Sequence, residues 1–129
     1  MPSISEKIFK SYDIRGLVEG ELSEDVAYRV GRAFVRLLRE EGVDLSEKYV
    51  VVGRDMRPTS SAFQHAVTRG ICAEGGLVMD IGLASTPLFN FACTQYPNHT
   101  GGIMVTASHN PAEYNALKLF NARGLFFNR

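Results

Sequence analysis

Tyr49-Val50-Val51-Val52 is a β-branched run that halts at Gly53, and a pattern of helical period begins within a few residues of it. Branched and aromatic side chains suit a pleated surface packed on both faces, so this run reads as a buried strand. The same succession recurs along the chain. Ser23 stands where it can cap a helix over residues 23–41, in which Val26, Val30, Ala33, Phe34, Leu37 and Leu38 return at helical spacing. Gly42 follows as its stop signal. A second helix is predicted over residues 60–74, with Phe63, Val67, Ile71 and Cys72 turned inward and Gly75-Gly76 ending it. Strands are predicted over 77–81, 102–106 and 116–120, and a short helix over 87–95 with Pro87 in its first turn. Residues 8–14 read as an extended segment entering a turn at Gly16.

Strands alternating with helices imply an α/β domain whose parallel or mixed sheet is covered on both faces. Ligands of such sheets gather beyond the carboxyl ends of the strands, which directs attention to the loops after Val52, Ile81 and Val105. The 129 residues match one ordinary domain with a real core and no internal repeat. Fourteen basic residues balance fourteen acidic ones, so net charge gives no argument for a nucleic-acid or membrane partner. Cys72 and Cys93 form neither a CxxC pair nor a zinc set and read as reduced thiols. The first residues lack a signal-peptide core, no apolar run is of membrane-spanning length, and Asn98-His99-Thr100 reads as a chance glycosylation match. The expected address is the cytoplasm.

Two loops carry the polar residues worth weighing. Gly53-Arg54-Asp55-Met56-Arg57-Pro58-Thr59-Ser60 lacks the Gly-Lys-Ser/Thr of a Walker loop. Its arginines can grip phosphate, but Arg54, Asp55 and Arg57 read slightly better as an ion-pair cluster that shapes the loop. Thr106-Ala107-Ser108-His109-Asn110-Pro111 sets a hydroxyl, an imidazole and an amide side by side, able to present donors to a phosphate or an oxyanion. A serine hydrolase fits poorly, because there is no G-x-S-x-G elbow and triad bases come from separate loops. His65 and His99 carry no motif, the former mid-helix and the latter in the Pro97-Asn98 loop. No HExxH, Cys/His cluster or carboxylate run offers a metal cage, so a divalent ion would take most of its ligands from elsewhere. Lys118, among Leu117, Leu119 and Phe120, points by strand alternation either to solvent or into a cleft near Ser108.

Four blocks, in this order, resemble the α-D-phosphohexomutases of the phosphomannomutase/phosphoglucomutase branch. They are Tyr12-Asp13-Ile14-Arg15-Gly16, Gly53-Arg54-Asp55-x-Arg57, Thr106-Ala107-Ser108-His109-Asn110-Pro111 and Tyr114-Asn115-x-x-Lys118. The resemblance covers essentially the whole chain. It implies that residues 1–129 are the first, phosphoserine-bearing domain, a three-layer αβα fold with a mixed, mostly parallel sheet. It implies interconversion of hexose 1-phosphate and hexose 6-phosphate, with Ser108 carrying the phosphoryl group and hexose 1,6-bisphosphate as intermediate and activator. Mg²⁺ is implied at the Ser108 phosphoryl group, most of its ligands coming from a second domain. By matching position, Lys118, His109 and Arg15 join Ser108 in catalysis, and Tyr12 and Asn110 meet substrate. Lys118 is the better proton carrier, since arginine hardly releases a proton. Arg54 and Arg57 read as loop architecture. Ala116 stands where the branch usually has glycine, which costs roughly 1 kcal/mol if that position requires positive φ.

The family's other three domains supply the metal loop, the sugar-reading loop and a phosphate-gripping loop, and none of these motifs occurs here. The resemblance therefore implies that the 129 residues alone turn over slowly or not at all. Two other readings stand beside it. One is a phosphosugar-binding or regulatory module, which sugar-phosphate titration would reveal. The other is one subunit of a split mutase, which copurification with a partner bearing an aspartate-rich loop would reveal.

Overall fold

The computed structural model describes residues 13–18, 21–106 and 113–123. Strand β1 (Asp13–Leu17) leads to helix α1 (Glu24–Glu40), strand β2 (Tyr49–Arg54) and helix α2 (Ser60–Ala73). Strand β3 (Leu77–Leu83), helix α3 (Thr86–Thr94), strand β4 (His99–Val105) and strand β5 (Tyr114–Phe120) follow. The five strands form one sheet in the order β1-β5-β4-β2-β3. β2 runs parallel to β3 and to β4, whereas β5 is antiparallel to both β4 and β1. Four strands therefore share a direction and β5 alone opposes them, which is the mixed, mostly parallel sheet read from the sequence.

The helices form at their predicted places for identifiable reasons. Ser23 accepts from the Val26 N–H at 3.1 Å and so satisfies one of the free donors at the start of α1. At its end Gly42 adopts φ 86°, Val43 N–H reaches Leu38 O at 3.0 Å, and Gly42 N–H reaches Arg39 O at 3.0 Å. This is a Schellman closure, and glycine takes its left-handed residue without a Cβ penalty. Ser85 caps α3 and Pro87 lies in its first turn.

α1 and α2 cover one face of the sheet, where Phe34, Leu38, Val67 and Ile71 pack on Val50, Val52, Ile103 and Leu117. α3 covers the other face, where Phe89, Ala92 and Cys93 pack on Val51, Met104 and Phe120. The three-layer αβα architecture follows. α1 and α2 approach closely because each offers a glycine to the other's backbone. A Cβ on Gly31 would press on the Val67 carbonyl, and one on Gly70 on the Tyr28 carbonyl. No helix among the described residues is long and apolar enough to cross a membrane.

Several local expectations are corrected. Gly16 lies inside β1, paired with Asn115, so no turn forms there. Cys72 is exposed, because Phe63, Val67, Gly70 and Ile71 already fill the inner face of α2. His99 opens β4 rather than sitting in a loop, and it is buried with Nδ1 2.8 Å from the Ala92 carbonyl oxygen. Residues 8–12 of the predicted extended segment lie outside the described residues.

Candidate active site

β2 sends its crossover through α2 to β3 on one side, while β4 lies on its other side and returns through β5. The strand order thus reverses between β2 and β4, and a crevice opens at the carboxyl ends of strands flanking such a point. The two loops singled out in the sequence leave there as neighbours. Arg54 pairs in register with Val105, and Asp55 N–H donates to Val105 O at 3.0 Å.

The loop after β2 is held by its own carboxylate. Asp55 Oδ1 accepts from Arg57 N–H at 3.0 Å and from the Ser60 hydroxyl at 2.5 Å, and Oδ2 accepts from Arg57 Nε at 3.2 Å. Burial opposes ionisation of Asp55. Hydrogen bonds from Ser60, Thr106 and the Arg57 N–H, with the Arg57 charge, outweigh it and hold the carboxyl below its usual range. Arg54 Nη1 turns to its neighbour's carbonyl, Asp55 O, at 3.3 Å. Arg57 thus shapes this loop through its ion pair with Asp55, as the sequence indicated, and Arg54 does so through a hydrogen bond to a backbone carbonyl.

The loop after β4 begins at Thr106, whose N–H donates to Ala116 O at 3.0 Å. Ser108, His109 and Asn110 follow it and, like Tyr12, lie outside the described residues. The chain re-enters the sheet at Tyr114, whose carbonyl accepts from Arg57 Nη1 at 3.3 Å. Asn115 is fully buried. Its Nδ2 donates to Thr59 Oγ1 at 2.9 Å and Ser60 Oγ at 3.0 Å, and its Oδ1 accepts from Ala116 N–H at 2.9 Å. Thr59 occupies the N-cap position of α2 yet makes no side-chain cap bond, and its hydroxyl serves Asn115 instead.

Arg15 and Lys118 come together on one face. Asp13 pairs with Lys118 and Arg15 with Ala116, so Arg15 and Lys118 are diagonal neighbours across the β1–β5 pair. Alternation along the strands sets the face. Ile14 and Leu117 point to the α1–α2 core and Phe120 to the α3 side, which leaves Arg15, Ala116 and Lys118 on the α3 side. Both cations are half-buried. Arg15 is level with Ala116, and Ala116 holds Thr106, so the pair borders the start of the Ser108 loop. Ala116 itself sits in regular register within β5, where extended backbone accepts any residue, and its difference from glycine brings no strain.

Thr59, Ser60, Thr106 and Asn115 were not singled out as site residues by sequence reasoning. The available signal was an asparagine opening an otherwise apolar strand, a position where asparagine is disfavoured. Among the described residues, no three His, Cys, Asp or Glu side chains gather to hold a metal ion.

A mixed, three-layer α/β sheet with two cations beside its switch point defines the class of doubly wound α/β domains. The comparisons narrow that class. Residues 6–129 match the family model described as phosphoglucomutase/phosphomannomutase, alpha/beta/alpha domain I. A phosphomannomutase of Vibrio cholerae is 47% identical over 111 residues, covering 86% of this chain and 23% of that protein. A phosphoglucomutase/phosphomannomutase of Thermococcus kodakarensis is 39% identical, covering 92% of this chain and 25% of that protein. A crystal structure of a phosphoglucomutase/phosphomannomutase family protein from Burkholderia thailandensis superposes with a TM-score of 0.86 at 36% identity, covering 98% of this chain and 28% of that one. The chain belongs to the phosphoglucomutase/phosphomannomutase family as its α/β/α domain I. It spans about a quarter of the length of these relatives.

Proposed function

We propose that this domain carries the transferable phosphoryl group of a hexose-phosphate mutase on Ser108, in the cytoplasm, and that three further domains, on the same or another polypeptide, complete the enzyme. The observation that carries this reading is the pairing of Arg15 and Lys118 beside the departure of the Thr106–Pro111 segment, in a chain whose family is established.

Phosphoryl transfer asks little covalent chemistry of a protein and much positioning and charge stabilisation. The P–Oγ bond of phosphorylated Ser108 breaks as a free hydroxyl of the hexose phosphate forms its own bond to phosphorus. The hydroxyl proton passes to a base, a role we give to the Lys118 amine, while His109 steadies the group and relays a proton to the departing Ser108 oxygen, which it takes back when Ser108 attacks in the return step. Arg15 stays charged and offsets negative charge on the transferring oxygens. The product is a hexose 1,6-bisphosphate. After it turns over in the cleft, its other phosphoryl group returns to Ser108, and the leaving sugar oxygen recovers a proton from Lys118. Tyr12 and Asn110 line the substrate's path. Mg²⁺ is taken to neutralise charge on the transferring group when bound. Among the described residues no metal cage gathers, and in this reading Mg²⁺ would be met by the phosphoryl oxygens on Ser108, with most of its ligands supplied by the other domains.

A top-down mass spectrum of the natural protein, with the phosphorylation site mapped, tests the reading. One phosphoryl group on Ser108 is expected. Its absence from Ser108, with mutase activity intact, would overturn it. A multi-turnover assay of the 129 residues alone, with glucose 1-phosphate, Mg²⁺ and a trace of glucose 1,6-bisphosphate, should show little activity. Robust turnover would refute the need for the other domains.

A further inference from the structure

Between Thr106 and Tyr114 the chain leaves β4 and returns to β5, and both ends of that excursion are tied to the same neighbouring loop. At departure, the Thr106 hydroxyl bonds to the Asp55 carboxylate. At return, Tyr114 O is held by Arg57, and Asn115 by Thr59 and Ser60. Arg57 and Ser60 are in turn the residues that Asp55 holds, at 3.2 Å and 2.5 Å. One carboxylate therefore reaches the exit directly and the return through two intermediaries. Ser60, Thr106 and Asn115 are buried, and Asp55 and Arg57 half-buried. Ser60 and Asn115 are 0% exposed, Thr106 5%, and the Arg57 and Asp55 side chains 13% and 21%.

Asp55 is occupied by this task. A carboxylate offers about four acceptor sites, and here Arg57 N–H, Arg57 Nε, the Ser60 hydroxyl and the Thr106 hydroxyl all donate to it. It has no lone pair to spare for a substrate proton. Its influence has to pass through what it holds. Ser108 follows Thr106 by two positions in the sequence.

We infer that Asp55 is a positioning residue for phosphoryl transfer: by fixing Thr106 on one side, and Tyr114 and Asn115 through Arg57 and Ser60 on the other, it sets where Ser108 presents its phosphoryl group. The inference rests on the reading of Ser108 as the carrier. A misplacement of about 1 Å in reacting groups costs on the order of a hundredfold in rate, while substrate affinity held by other contacts is spared.

The test uses the natural protein at full length, charged with glucose 1,6-bisphosphate, with single-turnover transfer to glucose 1-phosphate followed by rapid quench. Thr106→Val removes the hydroxyl and keeps the shape, Thr106→Ser keeps the hydroxyl, and Asp55→Asn removes the charge. Thr106→Val and Asp55→Asn should each slow transfer about 10- to 100-fold with KM changed by less than about twofold, and Thr106→Ser should restore the rate to within about threefold. The double variant should be no slower than the slower single, because Asp55→Asn already weakens the tie that Thr106→Val removes. Wild-type transfer by Thr106→Val, or losses that multiply in the double variant, would overturn the inference while Ser108→Ala still abolished transfer. Transfer surviving Ser108→Ala would instead remove the reading beneath it. If Asp55→Asn fails to fold, the valine–serine contrast at Thr106 decides alone.

Discussion

Gly70→Ala sets two well-known effects against each other. In an exposed helix the change stabilises by about 1 kcal/mol, because glycine is the poorer helix former. Here Gly70 faces α1. A Cβ would lie against the Tyr28 carbonyl oxygen, 3.0 Å from its carbon and 3.1 Å from the Arg32 nitrogen. These are backbone atoms, which cannot swing aside as a side chain would, so the helices must separate. Overpacking of this kind costs roughly 1–3 kcal/mol. The net expectation is a loss of about 1–2 kcal/mol once the propensity gain is subtracted. Gly31→Ala should behave alike, since its Cβ meets Val67 and Ile71 backbone. The pair should lose less than the sum, because the first separation makes room for the second. Gly42→Ala is the control: nothing lies within 4 Å, φ is 86°, and its loss of about 1–2 kcal/mol is purely conformational. Urea unfolding followed by circular dichroism reads all four. A higher midpoint for Gly70→Ala at unchanged slope would refute the close-approach argument.

Asn115→Ala removes three hydrogen bonds and strands buried partners, so it should lose roughly 2–4 kcal/mol in the same urea assay; a loss below about 1 kcal/mol would show that the tie is loose. The depressed Asp55 pKa stabilises the fold above the unfolded value of about 3.9, and that stability drains as pH falls through the lower folded value. Melting temperature should therefore drop below about pH 4, and less steeply in Asp55→Asn; identical acid slopes would contradict this. Burial pushes the Cys93 thiol up to about 12 while Cys72 is exposed, so Ellman's reagent should titrate one thiol in the native protein and two after unfolding. Two fast native thiols would show the α3 layer to be open.

The layered fold was legible because its signals are local. The valine run of β2, the cap at Ser23 and the stop at Gly42 act within a turn or two of themselves. What escaped depends on partners distant in sequence. Gly16 reads as a turn residue until β5 supplies a ladder for it, and His99 reads as loop until β2 pairs with it. Cys72 follows Ile71 on α2, but the inner face closes on Gly70 and Ile71, and one residue further turns outward. The candidate site was legible in part by the same rule. Lys118 alternates with two leucines, which states that it opposes them but not which face they take. Packing of Leu117 under α1 and α2 settles that. The clamp of Asp55, Ser60 and Asn115 joins three segments whose separate sequences carry little sign of one another.

β1 pairs with β5 alone, so the first described strand is secured by the last. On a ribosome, Arg15 emerges early and waits for its partner, while α1, α2 and β2 to β4 meet from shorter separations. Long-range pairings carry the larger loop-closure cost and form late. Chains arrested at residue 113 should thus resist proteolysis across α1 and α2 yet be cut readily within β1, and uniform protection would contradict this order. The cell then handles a nascent domain whose scaffold is assembled before its cations are set, and chemical competence is the last property the sheet acquires.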